Sequence, residues 1–297
     1  MIAPGLLAGR DRYERLVEGW VDATGDDALT HTVRLSDSDA ALELTIVALP
    51  SPTYEICGAR ARGLSGSFGP AVLAAVARLV GTRMVGGLTR RAATTVGEGA
   101  GARLVVDAVV EVARLARQVA RIPRGRAERA AGGDPWECWQ LDMATWVDIP
   151  GSCFTFGDAG RRLFGTRPIV TSMKRDFYSP SPGQRRVFER TKRARLERRS
   201  GRLFLSHAMD DNAHGFQLTY EIDLATARIT RAGSVTPRLP YPGICSEPQA
   251  KIGALVGELV DDGLRTRIQA LLGGSTGCAQ LYDLTADLLK LLALPSR

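Results

Sequence analysis

An internal repeat constrains the fold of this chain more than any other feature of its sequence. Residues 79–107 align without a gap with residues 255–283, an offset of 176, and nine of the 29 aligned positions are identical. Four of the nine are glycines, which proteins keep for backbone reasons at helix ends and close approaches. Chance does not readily produce this pattern, so we expect a chain built from two related units.

Each unit begins with strand-like runs that are separated by turn compositions. The runs cover residues 12–23, 29–35, 42–49 and 54–61 in the first unit and 187–199, 202–209, 216–222 and 227–235 in the second. Apolar residues then recur at steps of three and four, the period of amphipathic helices. The predicted fold class is therefore α+β, with two pseudo-symmetric units, each an antiparallel four-strand meander followed by two to three helices.

Residues 121–185 belong to neither unit and are rich in aromatic side chains. They contain eight of the 18 Phe, Trp and Tyr residues, an enrichment of about twofold, behind a linker-like stretch at 123–135. We predict one compact domain with a degenerate repeat unit (1–120), a linker and aromatic-rich insert (121–185) and a functional repeat unit (186–297). The insert is predicted to cover a pocket for a flat apolar ligand, with core filling or a dimer contact equally open. Its aspartates are expected to be solvated or capping residues: Asp142, Asp148 and Asp158.

Composition excludes several classes of function. No apolar stretch approaches the roughly 20 residues that a membrane helix needs, and the N-terminus is too short and too soon charged for a signal peptide. We therefore expect a cytoplasmic protein with no membrane partner. Five scattered cysteines and three histidines suggest neither disulfides nor a zinc site. No nucleotide or flavin motif is present, so no cofactor and no metal are predicted.

The segment SHAMDDNAHG at 206–215 contains two of the three histidines around a turn. Imidazole beside carboxylate is the usual arrangement of a general base near pH 7. Catalysis, metal binding and ordinary turn chemistry all remain open for it. The corresponding turn of the first unit, SDSDA, lacks histidine, so any chemistry here belongs to the second unit.

The cysteine at 278 lies at the start of the last predicted helix. Exposed amides in a first helical turn would lower the pKa of the Cys278 thiol. The favoured alternative is that Cys278 is a small buried apolar residue. A basic run at 185–202, with nine Arg or Lys residues interrupted by glutamates, favours a solvated sheet face or a subunit contact over phosphate binding.

The second unit resembles a bacterial domain family of unknown function whose members share the motifs YxIC, LVG, GW, LGG and GCTHL. The matching residues are ICSEP at 244–248, LVG at 255–257, GL at 263–264, LLGG at 271–274 and GCAQL at 277–281. Gln280 stands where the family has histidine, which argues against a Cys–His pair built on Cys278. The family implies no settled activity. With the aromatic insert, the resemblance favours a role of two-copy members in breaking down aromatic compounds such as lignin-derived phenols.

The predicted function is a cofactor-independent lyase that cleaves a carbon–carbon bond of a phenolic or aromatic catabolite by acid–base chemistry. It would release a small fragment such as formaldehyde or carbon dioxide. The predicted catalytic residues are His207 or His214 as base, Asp211 as its orienting group, and Tyr241 or Glu247 as acid. The predicted substrate-binding residues are Arg238, which clamps negative charge, Cys245, Trp136, Trp139, Trp146, Gln280 and Tyr282.

The predicted partner is a small aromatic substrate. Nucleic acid is disfavoured as a partner, and a homodimer is left open. The alternative function is a non-catalytic binding protein that uses the basic strand face for nucleic acid or another acidic partner. A salt-sensitive gel shift would favour the binding protein, and a melting shift with phenolic ligands would favour the enzyme.

Overall fold

The computed structural model of the chain describes residues 10–25, 27–131 and 133–292, which contain one eight-stranded antiparallel sheet. The strands are β1 (Arg12–Ala23), β2 (Leu29–Asp37), β3 (Ala41–Ala48), β4 (Ile56–Ser65), β5 (Gln184–Arg199), β6 (Arg202–Asp211), β7 (Gly215–Asp223) and β8 (Arg228–Arg238). Their order in space is β4-β3-β2-β1-β5-β6-β7-β8. Two four-strand meanders are therefore joined side by side through β1 and β5.

Helices follow each meander and also form the insert. They are α1 (Pro70–Ala75), α2 (Leu88–Val96), α3 (Ala102–Leu115), α4 (Arg124–Ala130), α5 (Pro135–Thr145), α6 (Asp158–Leu163), α7 (Arg175–Tyr178), α8 (Leu264–Leu272) and α9 (Ala279–Leu292). Short 3-10 segments cover Val76–Leu79, Glu247–Leu255 and Gly274–Thr276. The predicted α+β class is confirmed. Residues 124–130 of the expected linker form α4 instead, because its alanine and arginine residues favour helix; Pro123 is the N-cap residue.

The sheet is covered by helices on one face, since α3 packs against β1, β2 and β3 and α9 packs against β6. Strand β5 shows the resulting alternation. Its side chains at positions 190, 192, 194 and 196 are buried, whereas those at 191, 193 and 195 are exposed. Two of the buried residues are cations, Arg190 and Lys192, each 3 % exposed. Among the described residues no helix has the length and apolar character needed to cross a bilayer.

Lys192 lies where the two meanders meet, directly opposite Val17 of β1. Its Nζ donates to Glu111 of α3 at 2.9 Å and to Asp287 of α9 at 2.9 Å. These two carboxylates are 176 positions apart, the same offset as the sequence repeat. Burial alone would raise the pKa of Glu111, but the charges of Lys192 and Arg114 lower it to about 2. A buried ion cluster thus ties the helices of both halves to the centre of the sheet.

Two glycines of the repeat stand where a side chain does not fit. Gly101 has φ +78°, and a Cβ there would lie 2.2 Å from the Phe68 ring. Its counterpart Gly277 has an extended backbone, but a Cβ there would lie 2.0 Å from the carbonyl oxygen of Leu272. Each glycine lets the last helix of its half pack closely against the preceding segment, which explains why both positions carry glycine.

Candidate active site

A cavity of about 340 Å³ opens between the second half of the sheet, the insert and the start of α9. Its walls are largely apolar and aromatic. They include Trp146, Phe156, Phe177, Phe188, Phe216 and Tyr241. Polar groups from several elements reach the same space, which is the usual composition of a small-molecule site. The expectation that the insert forms part of a pocket wall agrees with this arrangement.

Asp142 of α5 is the most unusual polar group in the cavity wall. It is 1 % exposed, and it lies on the buried face of the helix with Cys138 and Leu141. The hydroxyls of Tyr178 and Tyr241 donate to its two carboxylate oxygens. Burial raises the pKa of Asp142 to about 7, although the tyrosine hydrogen bonds act in the opposite direction. The expectation that Asp142 is solvated or a capping residue is therefore wrong, because α5 turns it inward.

His214 lines the cavity from the turn between β6 and β7. Its Nδ1 lies 3.1 Å from Oδ1 of Asp211, which also accepts the backbone N–H groups of Ala213 and His214. Arg190 Nε donates to the other carboxylate oxygen at 2.8 Å. Burial alone would raise the pKa of Asp211, but Arg190 and the His214 contact hold it well below its usual value. Because Asp211 is an anion, it selects the tautomer with hydrogen on Nδ1 and leaves Nε2 as the acceptor.

The first half contains the same turn without the histidine. Asp37 Oδ1 accepts the backbone N–H groups of Asp39 and Ala40 at 2.9 Å each. Arg15 approaches the other oxygen of Asp37 at 3.8 Å, as Arg190 approaches Asp211. Ala40 occupies the place that His214 has in the second half. The turn geometry is therefore common to both halves, whereas the imidazole is present in one.

His207 does not reach this cavity. It points inward from β6, where its Nδ1 lies 2.9 Å from the carbonyl oxygen of Leu284 in α9, and it is 3 % exposed. Burial, with the nearby charge of Lys192, lowers the pKa of His207 to about 4. Of the two histidines that the sequence offers as base, the structure brings His214 to the cavity and packs His207 beneath a helix.

The remaining predicted residues divide between the cavity and other places. Tyr241, Cys245, Trp146 and Gln280 join His214 in its wall. Asp211 supports His214 from behind. Glu247 forms an ion pair with Arg167, and Arg238 pairs with Asp210 at 3.1 Å, both away from the cavity lining. Three more predicted residues also lie outside the cavity lining: Trp136, Trp139 and Tyr282. The rings of Trp136 and Trp139 stack with their centroids 5.1 Å apart.

Three cysteines line the cavity, and burial keeps their thiols protonated. Burial raises the pKa of Cys153, of Cys245 and of Cys278, which reaches about 11. The sequence left open that exposed helix amides lower the pKa of Cys278. Desolvation instead raises it. The amide of Cys278 donates to Leu272 O at 2.8 Å, its sulfur accepts from Leu281 N at 3.5 Å, and the side chain is half-buried against the core. Among the residues that the structure describes, no three metal-ligating side chains are grouped to hold an ion.

Sequence reasoning missed the contribution of the first half to the site. Arg114 of α3 lines the cavity and contacts Asp283 of α9 at 3.1 Å. Asp283 has a signal in the sequence, because it is one of the nine identical repeat positions, paired with Asp107. Asp107 in turn accepts from Arg15 at 2.7 Å. An arginine–aspartate contact therefore accompanies this aspartate in both halves.

These features define an antiparallel sheet covered by helices on one face, with an aromatic-lined cavity. The cavity wall carries a carboxyl group with a pKa of about 7 and an oriented imidazole. Residues 191–293 match the sequence model of a family described as a protein of unknown function, DUF2889. The match covers about a third of the chain, from β5 to α9, so the second half is similar to a domain of unknown function. No curated protein matches the chain, and no solved structure matches it either.

Proposed function

We propose that this protein is a cofactor-independent lyase that cleaves a carbon–carbon bond of a small phenolic substrate in the cavity. The observation that carries the proposal is Asp142, a fully buried carboxyl group whose pKa is raised to about 7 in an aromatic-lined cavity. At neutral pH such a group both accepts and donates protons. The two tyrosine hydroxyls hold it in one orientation.

His214 is the second group of the proposed mechanism. His214 Nε2 first takes the proton of the ring hydroxyl while protonated Asp142 gives a proton to the ring carbon that bears the side chain, so that the ring becomes a quinone-methide-like dienone. In the retro-aldol step that follows, the Asp142 carboxylate takes the proton from the side-chain hydroxyl, whose oxygen becomes the carbonyl of the leaving fragment. The carbon–carbon bond breaks, and its electron pair restores the aromatic ring. The ring oxygen takes its proton back from the His214 imidazolium, which is stabilised by Asp211. No electrons enter or leave the system, so no redox cofactor is required.

The experiment is a turnover assay with phenols that carry a hydroxymethyl or carboxyl side chain. Released formaldehyde or carbon dioxide and the aromatic product are measured together by trapping and mass spectrometry. Asp142→Asn is expected to lower kcat by about 10²-fold or more, as for loss of a general acid–base group. Glu247→Gln, outside the cavity, is the matched control and keeps full activity. Unchanged turnover in Asp142→Asn, or loss in the control, would refute the assignment.

We also infer that the two halves are copies of one unit and that the first copy has lost its site. The common turn around Asp37 and Asp211 and the common offset of Glu111 and Asp287 support this inference. The alternative of a basic binding strand has less support. Arg190 and Lys192 are buried in ion pairs, and the exposed Arg195 of β5 pairs with Glu14.

A further inference from the structure

Trp146, which follows α5 directly, has a polar group without a partner. The residue lines the cavity and is 3 % exposed. Its indole Nε1 has no hydrogen-bond acceptor within the described residues. Trp139, seven residues earlier on α5, differs in this respect, because its Nε1 donates to the carbonyl oxygen of Thr155 at 2.9 Å. The helix thus carries a satisfied indole in the aromatic packing, and the residue that follows it has an unsatisfied indole and lines the cavity.

A buried donor without an acceptor destabilises the protein, and a ligand that supplies an acceptor removes this free-energy cost. Leaving a buried N–H without an acceptor costs about 1–3 kcal/mol, and the indole N–H acts only as a donor. A ligand atom that meets it must therefore be an acceptor. A methylene group at the same place would leave the indole N–H unpaired, because it has no lone pair to accept a hydrogen bond. Trp146 is for this reason able to discriminate between ligands of the same shape.

The charge of the acceptor follows from the neighbouring carboxyl group. Trp146 is four residues after Asp142, and its amide donates to the Asp142 carbonyl oxygen at 3.1 Å, so both side chains belong to one helix face. An anionic oxygen beside Asp142 would be repelled whenever that carboxyl group is ionised. A neutral oxygen, such as an aryl ether or a carbonyl, satisfies the indole without this repulsion.

We propose that Trp146 is a specificity-determining residue that selects aromatic ligands bearing a neutral, hydrogen-bond-accepting oxygen on the ring. This inference rests on the proposed function only in taking the cavity as the site of a small aromatic ligand. The oxygen accepts from the Trp146 indole, while the ring packs among the aromatic side chains of the cavity. Asp142 and Tyr241 remain available for the reacting group.

The test compares two phenols of nearly the same shape, 2-methoxyphenol and 2-ethylphenol, in which a methylene replaces the ether oxygen. Wild-type protein is expected to bind 2-methoxyphenol about tenfold more tightly, as measured by calorimetry or ligand-observed NMR. In Trp146→Phe the ratio is expected to fall below about twofold, mainly through weaker binding of the ether. Trp139→Phe is the matched control on α5 and keeps the tenfold ratio.

A second measurement uses the wild-type protein alone, in case Trp146→Phe does not fold. In a ¹⁵N-labelled sample one indole N–H resonance is expected to move downfield with 2-methoxyphenol but not with 2-ethylphenol. Assignment to Trp146 comes from Phe variants of Trp20, Trp136 and Trp139. Equal binding of the two phenols, no binding of either, or an unchanged ratio in Trp146→Phe overturns the inference. Preserved discrimination without any turnover overturns the lyase proposal and leaves this one standing.

Discussion

Asp142 occupies a position where a carboxylate loses its hydration and gains only neutral hydrogen-bond donors. Burial penalises the carboxylate more than the hydrogen bonds from the Tyr178 and Tyr241 hydroxyls favour it. Asp211 is also buried, but Arg190 and the turn amides favour its anion. Two aspartates of one cavity region are thus set to different charges by their immediate neighbours, which is the basis of paired acid–base roles.

The raised pKa of Asp142 predicts a particular pH dependence of stability. The protonated form is favoured in the folded state, so its contribution is complete below the unfolded pKa near 4 and is lost as pH rises through about 7. Relative to Asp142→Asn, the wild type is expected to lose up to about 4 kcal/mol of unfolding free energy between pH 4 and pH 8. Urea denaturation at a series of pH values measures the difference. Parallel curves for Asp142→Asn and wild type would contradict the prediction.

The thiols of the cavity are expected to resist alkylation. Iodoacetamide reacts with the thiolate, and burial raises the pKa of Cys245 and Cys278. At pH 7.5 the exposed Cys57 should therefore be modified at least about tenfold faster than either. Peptide mass spectrometry at timed intervals gives the rates. Labelling in urea is the control in which the difference should disappear, and rapid native labelling of Cys278 would show that its pKa is not raised.

At the scale of elements, the alternating pattern of the strands was predictable from the sequence. Which charged residues of a strand lie inside the protein was not. The first predicted strand, residues 12–23, agrees with β1 at both ends, because apolar alternation and turn residues are local signals. In the basic run, however, Arg190 and Lys192 are internal, since their partners Asp211, Glu111 and Asp287 come from other elements.

Site residues were likewise predictable only where the signal is local. His214 was foreseen from its turn, whereas Asp142 depends on Tyr178 and Tyr241, which are far away in sequence.

The ion cluster on β5 is expected to contribute strongly to stability. Lys192→Met would leave Glu111 and Asp287 buried together, with Arg114 as a cation that still contacts both. We expect a loss of about 3–5 kcal/mol of unfolding free energy, which Glu111→Gln in the same chain partly restores. Denaturant titration of the single and double variants gives both values. Arg193→Met changes the adjacent, exposed residue and should alter stability by less than about 0.5 kcal/mol. Equal effects of the two single variants would be incompatible with the cluster.

The junction before α9 depends on Gly277. A methyl group there meets the backbone of Leu272, which has no flexible end that can yield. The Gly277 carbonyl also accepts from Phe154 N at 2.8 Å, so displacement would pull on the insert beside the cavity. Gly277→Ala is expected to cost about 1–3 kcal/mol and to weaken phenol binding. Gly253→Ala, where the added methyl meets open space, serves as control for thermal melting. A stable Gly277→Ala protein with normal binding would show that the junction relaxes freely.

At the scale of the whole molecule, the two halves depend on each other through strand pairing and through charge. Strand β1 pairs with β5 from Arg12↔Glu197 to Val21↔Phe188. Across this join Lys192 reaches Glu111, and Arg114 reaches Asp283 and Asp287. Arg114 of the first half also lines the cavity of the second. The matched family region, residues 191–293, therefore contains His214 and Tyr241 of the site but not Asp142 of the insert or Arg114 of the first half.

This dependence predicts that residues 186–297 do not fold alone. Without β1, strand β5 would present a long unpaired edge, which favours aggregation, and Asp283 and Asp287 would lose Arg114. The intact chain is expected to unfold in one transition that coincides by circular dichroism and tryptophan fluorescence. The fragment should show no cooperative melt, whereas co-expression with residues 1–185 should restore a soluble complex that binds 2-methoxyphenol. A fragment with dispersed NMR signals and its own sharp melt would instead identify an autonomous domain, with the first half as an accessory to its cavity.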